Sequence, residues 1–298
     1  MVGYRIQYGV PIADTISPAT FWKITERCGN YSTSGKATMT IANAQRAIQN
    51  TANVMGYEID GWVQSAARSL VAVTTNGRFM KAPIFDRKSI TKGIELYSQA
   101  RAGARVVQVY YDNTLFDYPV IIMEQLPGES FRNREVSEEE YQTIIDTILE
   151  VQPPHGELQQ FMSLEDRIAM DSRESRQRFE TIKHHIPTDE PCYEYMELIE
   201  ETGAKILATE APKVLCHGDL DLRNIIQYKG EPRFLDPEPV VAPIEFDIAK
   251  LLTMDSQLNP EIFPETDPHL SQNIALFYRA AWRLYGIVKE HFINNFKA

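Results

Sequence analysis

No run of apolar residues in this 298-residue chain approaches the roughly 18 needed to cross a membrane, and Pro119-Val-Ile-Ile-Met123 is far too short. Met1 to Val10 lacks a basic stretch followed by an apolar one, so no secretory signal is expected. Cysteine is scarce. Cys28, Cys192 and Cys216 form no Cys-x-x-Cys pair, which argues against a zinc site or disulfide framework and fits a reducing, cytoplasmic compartment. Positive charge is also short: 30 Lys and Arg against 41 Asp and Glu leave a net charge of −11. A broad basic face for nucleic acid is therefore disfavoured, whereas small cations would be attracted. Internal repeats and low-complexity tracts are absent. With 43% apolar and 24% charged residues, the composition is that of a globular chain. Its length suggests about two domain-sized units.

The first sixty residues read as helical and partly polar, with Ile41, Ala44, Ala47, Ile48 and Met55 near helical spacing. Leu70 to Thr75 is strand-like, Asn76-Gly77 is a two-residue hairpin signal, and Arg78 to Ala82 resumes an extended run. A helix is expected over Ser89 to Arg101, ending near Gly103, followed by strands at Arg105 to Tyr111 and Tyr118 to Met123. After Leu126-Pro-Gly128 most of the chain reads as helix. Ser137-Glu-Glu-Glu140 resembles a capping box, Glu190 to Thr209 is amphipathic, and Phe277 to Ile287 is a terminal helix. Lys213 to Cys216 and Arg233 to Leu235 are short apolar runs. Strands first and helices after suggest an α+β protein of two lobes, residues 1–123 and 124–298.

The chemistry concentrates in Val214-Leu-Cys-His-Gly-Asp-Leu-Asp-Leu-Arg-Asn-Ile-Ile226, with Asp236 and Glu238 shortly after. Phosphoryl transfer needs positioning more than covalent help. One carboxylate must hold the acceptor hydroxyl and take its proton, and oxygen ligands must hold the hard cation Mg2+ against the nucleotide phosphates. A loop carrying Asp219 and, five residues on, Asn224 supplies both tasks, and Asp236 at the end of the next short strand completes the metal clamp.

His217-Gly-Asp-Leu-x-x-x-Asn224, Leu235-Asp236 and Phe246-Asp-Ile-Ala249 together resemble the aminoglycoside phosphotransferase family of kinase-like enzymes. Asp236-Pro-Glu-Pro, leading to Phe246-Asp247, is most similar to the streptomycin and viomycin phosphotransferase branch. The resemblance implies a two-lobed protein-kinase-like fold. It also implies Asp219 as catalytic base, His217 as organiser of its loop, and Asn224 and Asp236 as Mg2+ ligands. Asp247 is expected to cap a helix beginning at Ile248. The clear match covers about forty residues, Lys213 to Leu252; beyond it the likeness is one of layout.

Such a site needs a lysine on the hairpin sheet for the α- and β-phosphates, and Lys81 is in position; Glu95 on the following helix would pair with it. Ile121 to Gly128 resembles the family's hinge, where the backbone of Glu124 to Leu126 would bond the adenine edge. No Gly-x-Gly-x-x-Gly precedes Lys81. Gln64 to Ser69 stands there instead, with the hydroxyls of Ser65 and Ser69 available to phosphate, and the donor stays open between ATP and GTP.

Three look-alikes are set aside. Gly29 to Ala37 has five residues between its glycines where a P-loop has four, and Ala37 stands where a hydroxyl is needed. His184-His185 are adjacent and cannot share a helix face. Glu194, Glu197, Glu200 and Glu201 read as a solvated face. Asp236 to Asp247 contains no Ser, Thr or Tyr, so a phosphorylated activation loop has no acceptor, and a small-molecule kinase is favoured over a protein kinase. Glu238 and Glu245 are expected to face the substrate. Net charge and resemblance together favour a cationic acceptor, an aminoglycoside or a basic peptide antibiotic. A metabolic kinase of an amino alcohol, sugar or amino acid is the alternative, and a catalytically silent binding module a third. Partner chains and oligomeric state are not legible.

Overall fold

A computed structural model of the chain describes residues 41–295, apart from 64–68, 85–86, 104–105, 113–117, 127, 155, 188–189, 255–262 and 264–265. Helix α1 (Ile41–Met55) lies against strands β2 (Ser69–Thr74), β3 (Arg78–Pro83) and β5 (Tyr118–Glu124). Its buried face is Ala44, Ala47, Ile48, Thr51 and Ala52; three alanines let the helix axis come close to the sheet. With β1 (Ile59–Val63) and β4 (Val106–Asp112) these strands form one antiparallel sheet, ordered β1-β2-β3-β5-β4. The Asn76-Gly77 hairpin is present. Gly77 has φ +72°, and its N–H donates to the Thr74 carbonyl at 2.9 Å.

Strand periodicity decides which side Lys81 faces. On β5, Val120 and Ile122 join the cluster under α1, while Ile121 and Met123 join a second cluster with Ile90 and Ile94 of α2 (Arg87–Gln99). Lys81 is paired across the strands with Ile121, and Met80 with Ile122. Lys81 therefore projects on the α2 side of the sheet, away from α1.

The rest of the chain builds on helices α3 (Glu138–Glu150), α4 (Leu164–Ile182), α5 (Pro191–Leu207), α6 (Glu245–Met254) and α7 (Pro268–Asn295). The capping box at the start of α3 is formed: Ser137 Oγ accepts from the Glu140 N–H, and Glu140 Oε2 from that of Ser137. Pro191 opens α5, a position where its missing N–H is harmless. Helix α7, longer than the terminal helix expected from its aromatics, packs on α4, α5 and α6. It supplies Phe277, Leu284 and other residues to a large core with Ile144, Ile148, Ile168 and Ile199. No described helix is long and apolar enough to cross a membrane.

Two small sheets frame the functional loops. Strands β6 (Glu129–Ser130), β9 (Ile225–Tyr228) and β10 (Glu231–Phe234) form one. Strands β7 (Met162–Ser163), β11 (Val240–Ala242) and β8 (Val214–Cys216) form the other. Helix α2 is the bridge to them. Tyr97 packs edge-on against His217 and Phe234, and Gly103 forms an isolated bridge with Phe234. Gly93 lies so close to Pro239 that an added Cβ would fall 2.0 Å from its Cγ. Overpacking of this kind typically costs about 1–3 kcal/mol. Gly93→Ala is therefore expected to lower stability by about that amount in urea denaturation. An unchanged midpoint would mean that α2 is not pressed against the Asp236 loop.

Candidate active site

Strand β8 delivers the chain into the loop His217-Gly-Asp219, which is held from behind by a buried carboxylate. Asp247 Oδ2 accepts the His217 N–H at 2.6 Å, and Oδ1 accepts the Gly218 N–H at 3.0 Å. This corrects the expected helix cap. Helix α6 begins at Glu245, and the N–H groups of Phe246, Asp247 and Ile248 find the carbonyls of Pro243 and Ile244. The Asp247 side chain is thus released for two loop donors that burial deprives of water. That burial raises its carboxyl to about 7, against the pull of the two N–H donors and of Lys250.

Gly218 is fixed by backbone geometry. Its φ is +82°, and a Cβ there would lie 1.8 Å from the Glu238 carbonyl oxygen. That close approach comes from a crossing of loops, in which the Glu238 N–H donates to the His217 carbonyl at 2.8 Å. A second tie, from the Leu235 N–H to the Asn224 carbonyl at 2.7 Å, joins the same two segments.

His217 is fully buried between Tyr97 and Phe234. Nε2 lies 3.1 Å from the Leu235 carbonyl and so carries the proton, while Nδ1 accepts from the Asp219 N–H at 3.3 Å. Burial lowers its pKa to about 4, so the ring is neutral and braces the loop rather than moving a proton. The Tyr97 hydroxyl is buried without a hydrogen-bond partner, and burial raises it well above its ordinary pKa. Cys216 is likewise buried, with Sγ donating to the Ala242 and Pro243 carbonyls, and burial raises its thiol well above the ordinary value; it is no nucleophile.

Asp219 opens onto solvent, its side chain 34% exposed. Asn224 ends a turn of 3₁₀ helix, Leu222–Asn224, capped by Asp221. Its Nδ2 donates to the Asp219 carbonyl at 2.9 Å and to Oδ2 at 3.2 Å, which turns Asn224 Oδ1 the other way. Asp236 adopts φ +54°, an uncommon conformation for a residue other than glycine, and Pro237 after it disfavours the right-handed helical alternative. Its Oδ1 lies 2.8 Å from Lys81 Nζ, with Lys81 only 2% exposed.

His217, Asp219, Asn224, Asp236 and Lys81 are thus brought together. Other expected site residues are not. Glu95 is half-buried on α2 and makes no ion pair with Lys81, whose ammonium goes to Asp236 instead. Glu238 is held by buried Arg167, 3.2 Å from its Nη1. Glu245 is buried, and its Oε1 accepts the Asp267 N–H at 2.8 Å. Neither carboxylate expected to meet the substrate is uncommitted. Glu124 ends β5 in an ion pair with Arg78 at 3.0 Å, and Leu126 follows two residues on, partly exposed. Ser69 is buried opposite Pro83. Ser65, the rest of the expected phosphate-covering segment and Gly29 to Ala37 lie outside the described residues. His184 and His185 are exposed, and His185 stacks on His291 with centroids 5.9 Å apart.

Sequence reasoning missed a buried polar network behind the site. Arg167 donates to Asp171 at 2.8 Å and to Glu238, and the Tyr278 hydroxyl donates to Asp171 at 2.8 Å. Lys250 Nζ sits 3.5 Å from the centre of the Tyr278 ring and 4.0 Å from Asp219 Oδ1. The signals were there: Asp247 and Lys250 are three apart on one helix, and Arg167 and Asp171 four apart on another.

The residues fit a magnesium ion by the chemistry of their donors, one carboxylate and one amide oxygen, since Mg2+ held by few protein ligands takes its others from phosphate and water. No cluster of three or more His, Cys, Asp or Glu that could hold a metal occurs among the described residues.

An antiparallel sheet joined through a short connection to a helical part, with the Asp219, Asn224 and Asp236 loops facing a sheet lysine, is the layout of kinase-like phosphotransferases. The chain belongs to that class through the APH phosphotransferase enzyme family, whose profile matches residues 69–285. No curated protein sequence matches it. Solved structures share the fold. A choline/ethanolamine kinase family protein from Mesorhizobium loti superposes with TM-score 0.56 at 13% identity, over 85% of this chain and 88% of the other. The choline kinase LicA from Streptococcus pneumoniae gives 0.54 at 14%, over 83% and 91%. The GDP and kanamycin complex of APH(2")-IIia gives 0.54 at 13%, over 84% and 100%.

Two titrations follow. The His217 ring resonances are expected to stay unchanged in NMR from pH 8 to about 5, because the pKa lies at about 4; a midpoint near 6.5 would contradict its burial. Asp247, with a folded pKa of about 7 and an ordinary value of 3.8, contributes stability that is full below 3.8 and is lost as pH rises through 7. His217 has the opposite sign, its contribution being full above 6.5 and lost as pH falls toward 4. Asp247→Asn, whose amide leaves one loop N–H unpaired, is expected to cost about 1–3 kcal/mol at pH 6 and less at pH 8. Urea titrations at both pH values read this, and equal losses would refute it.

Proposed function

We propose that the chain transfers the γ-phosphoryl group of ATP or GTP to a hydroxyl of a small molecule. The observation that carries this reading is the lacing of Asp219 to Asn224, and of Asp236 to Lys81, by loops whose backbones are hydrogen-bonded to each other. Asp219 accepts the acceptor's proton as its oxygen meets the γ-phosphorus, and positioned general bases contribute about 10²–10⁴-fold. Lys81 leaves Asp236 for the α- and β-phosphates when nucleotide binds. Asn224 and Asp236 would hold Mg2+, which supplies charge neutralisation on the phosphates. The backbone from Glu124 to Leu126 would receive the base, and the segment reaching Ser69 would cover the phosphates. Residues 1–123 and 124–298 would then act as the nucleotide and acceptor lobes.

The acceptor is read as a cationic small molecule. The net charge of −11 supports it by long-range attraction, and Asp236-Pro-Glu-Pro supports the streptomycin and viomycin branch. An antibiotic-resistance role in the cytoplasm is the corresponding biological reading. A metabolic amino-alcohol kinase is the second reading, favoured by one observation: Glu238 and Glu245, the carboxylates expected to meet a polycation, are committed to Arg167 and the Asp267 N–H. A silent binding module is disfavoured by the intact Asp219, Asn224 and Asp236.

Asp219→Asn is expected to bind ATP within a few-fold of the parent chain while phosphoryl transfer falls about 10²–10⁴-fold. Nucleotide binding by calorimetry and product formation by 31P NMR measure the two. Undiminished transfer would remove Asp219 from the reaction.

A further inference from the structure

Resting on the phosphotransferase reading above, we infer that Lys250 is a second catalytic contact of the acceptor hydroxyl. Its ammonium donates to the same oxygen whose proton passes to Asp219 Oδ1.

The two oxygens of Asp219 have different surroundings. Oδ2 takes a hydrogen bond from Asn224 Nδ2 at 3.2 Å, whereas Oδ1 faces Lys250 Nζ across 4.0 Å. That separation is too long for a charge-assisted hydrogen bond, which closes at about 2.7–2.9 Å. It does admit one bridging oxygen, since two bonds of about 2.7 Å meeting at roughly 95° span such a gap. An alcohol there donates its proton to Oδ1 and accepts from Nζ. On transfer, the O–H bond breaks as the O–P bond forms, the γ-phosphorus parts from the β–γ bridging oxygen, and the proton ends on Asp219. Lys250 stays protonated and steadies the charge gathering on the attacking oxygen.

Lys250 is held for this task on every side. It is 5% exposed, with its ammonium over the Tyr278 ring at 3.5 Å and 5.7 Å from the centre of Phe246. The charged and titratable groups near it include Asp219 from the catalytic loop, Asp247 on its own helix and Tyr278 on α7, the last anchored through Asp171 to Arg167 and Glu238. The ammonium therefore cannot swing away without uncovering that network.

A consequence for the acceptor follows. A cation fixed beside the reacting hydroxyl repels an ammonium on the neighbouring carbon. The preferred hydroxyl has neutral or anionic neighbours, and any positive groups of the acceptor lie several bonds away. This separates the two readings above: a larger antibiotic with remote cationic groups is compatible, and a 1,2-amino alcohol is disfavoured.

The test compares three two-carbon probes, ethylene glycol, ethanolamine and glycolate, together with water, as acceptors from ATP with Mg2+. Parent chain, Lys250→Met, Lys250→Arg and Asp219→Asn are measured, and folding is followed by thermal unfolding. In the parent chain ethanolamine is expected to be the poorest of the three probes. Lys250→Met is expected to lower kcat at least tenfold, water included, with KM for ATP within twofold, and to raise the ethanolamine-to-glycolate ratio about tenfold. Lys250→Arg retains the parent order. An unchanged ratio in Lys250→Met, or ethanolamine as the best probe of the parent chain, overturns the inference while Asp219→Asn still loses transfer. No turnover of any probe or of water by the parent chain overturns the phosphotransferase reading itself, and the inference with it. Should Lys250→Met melt early, the order of probes in the parent chain and in Lys250→Arg still decides.

Discussion

The site depends on one buried carboxylate. Asp247 is fully buried and spends both oxygens on the backbone of a loop that would otherwise have two N–H groups without partners in a dry interior. Everything downstream inherits its position from that contact. Gly218 can turn because it lacks a Cβ, His217 can reach Leu235 because its own backbone is fixed, and Asp219 is presented at the end of the turn. The raised pKa of Asp247 is the electrostatic consequence of such burial, and the neutral His217 beside it is the other half of the same economy of charge.

Rigidity behind the site contrasts with exposure at its front. Asp219 and Asp236 are 34% and 39% exposed, whereas Lys81, Lys250 and Arg167, which stand behind or beside them, are almost wholly buried. Cations held in low-dielectric surroundings act more strongly on groups at the rim than they would in water. The helix α2 contributes through packing. Tyr97 and Gly93 press it against the loops that carry His217 and Pro239, and Lys81 reaches Asp236 without a Lys81–Glu95 ion pair.

The sequence was most readable where chemistry and local backbone rules coincide. Asn76-Gly77 and Ser137 to Glu140 carry turn and cap rules, and the turn and capping box form where those rules indicated; His217-Gly-Asp219, Asn224 and Asp236 carry a motif whose residues the fold brings together. Helix α4 was hard to single out because charged residues interrupt its apolar stripe, and part of that charge is buried in Arg167 and Asp171. Glu95 is indicated only by its place on the helix after Lys81, and Glu238 and Glu245 only by nearness in sequence to Asp236. Tertiary partners decided them instead: Asp236 took Lys81, Arg167 took Glu238, and a helix-leading N–H took Glu245. For Lys250 the only local signal is Asp247 three residues before it on the same helix; that its ammonium comes within 4.0 Å of a carboxylate thirty-one positions earlier is decided by the tertiary fold.

The central claim is that Asn224 and Asp236 share one divalent ion with the phosphates of a nucleotide held against Asp219. The most direct measurement is the binding of Mn2+, as a spectroscopic stand-in for Mg2+, to the chain saturated with ADP, followed by electron paramagnetic resonance. The account predicts a bound-ion signal that needs ADP and an affinity weakened at least tenfold by Asn224→Ala and by Asp236→Asn. Equal affinity in the parent chain and both variants would contradict it.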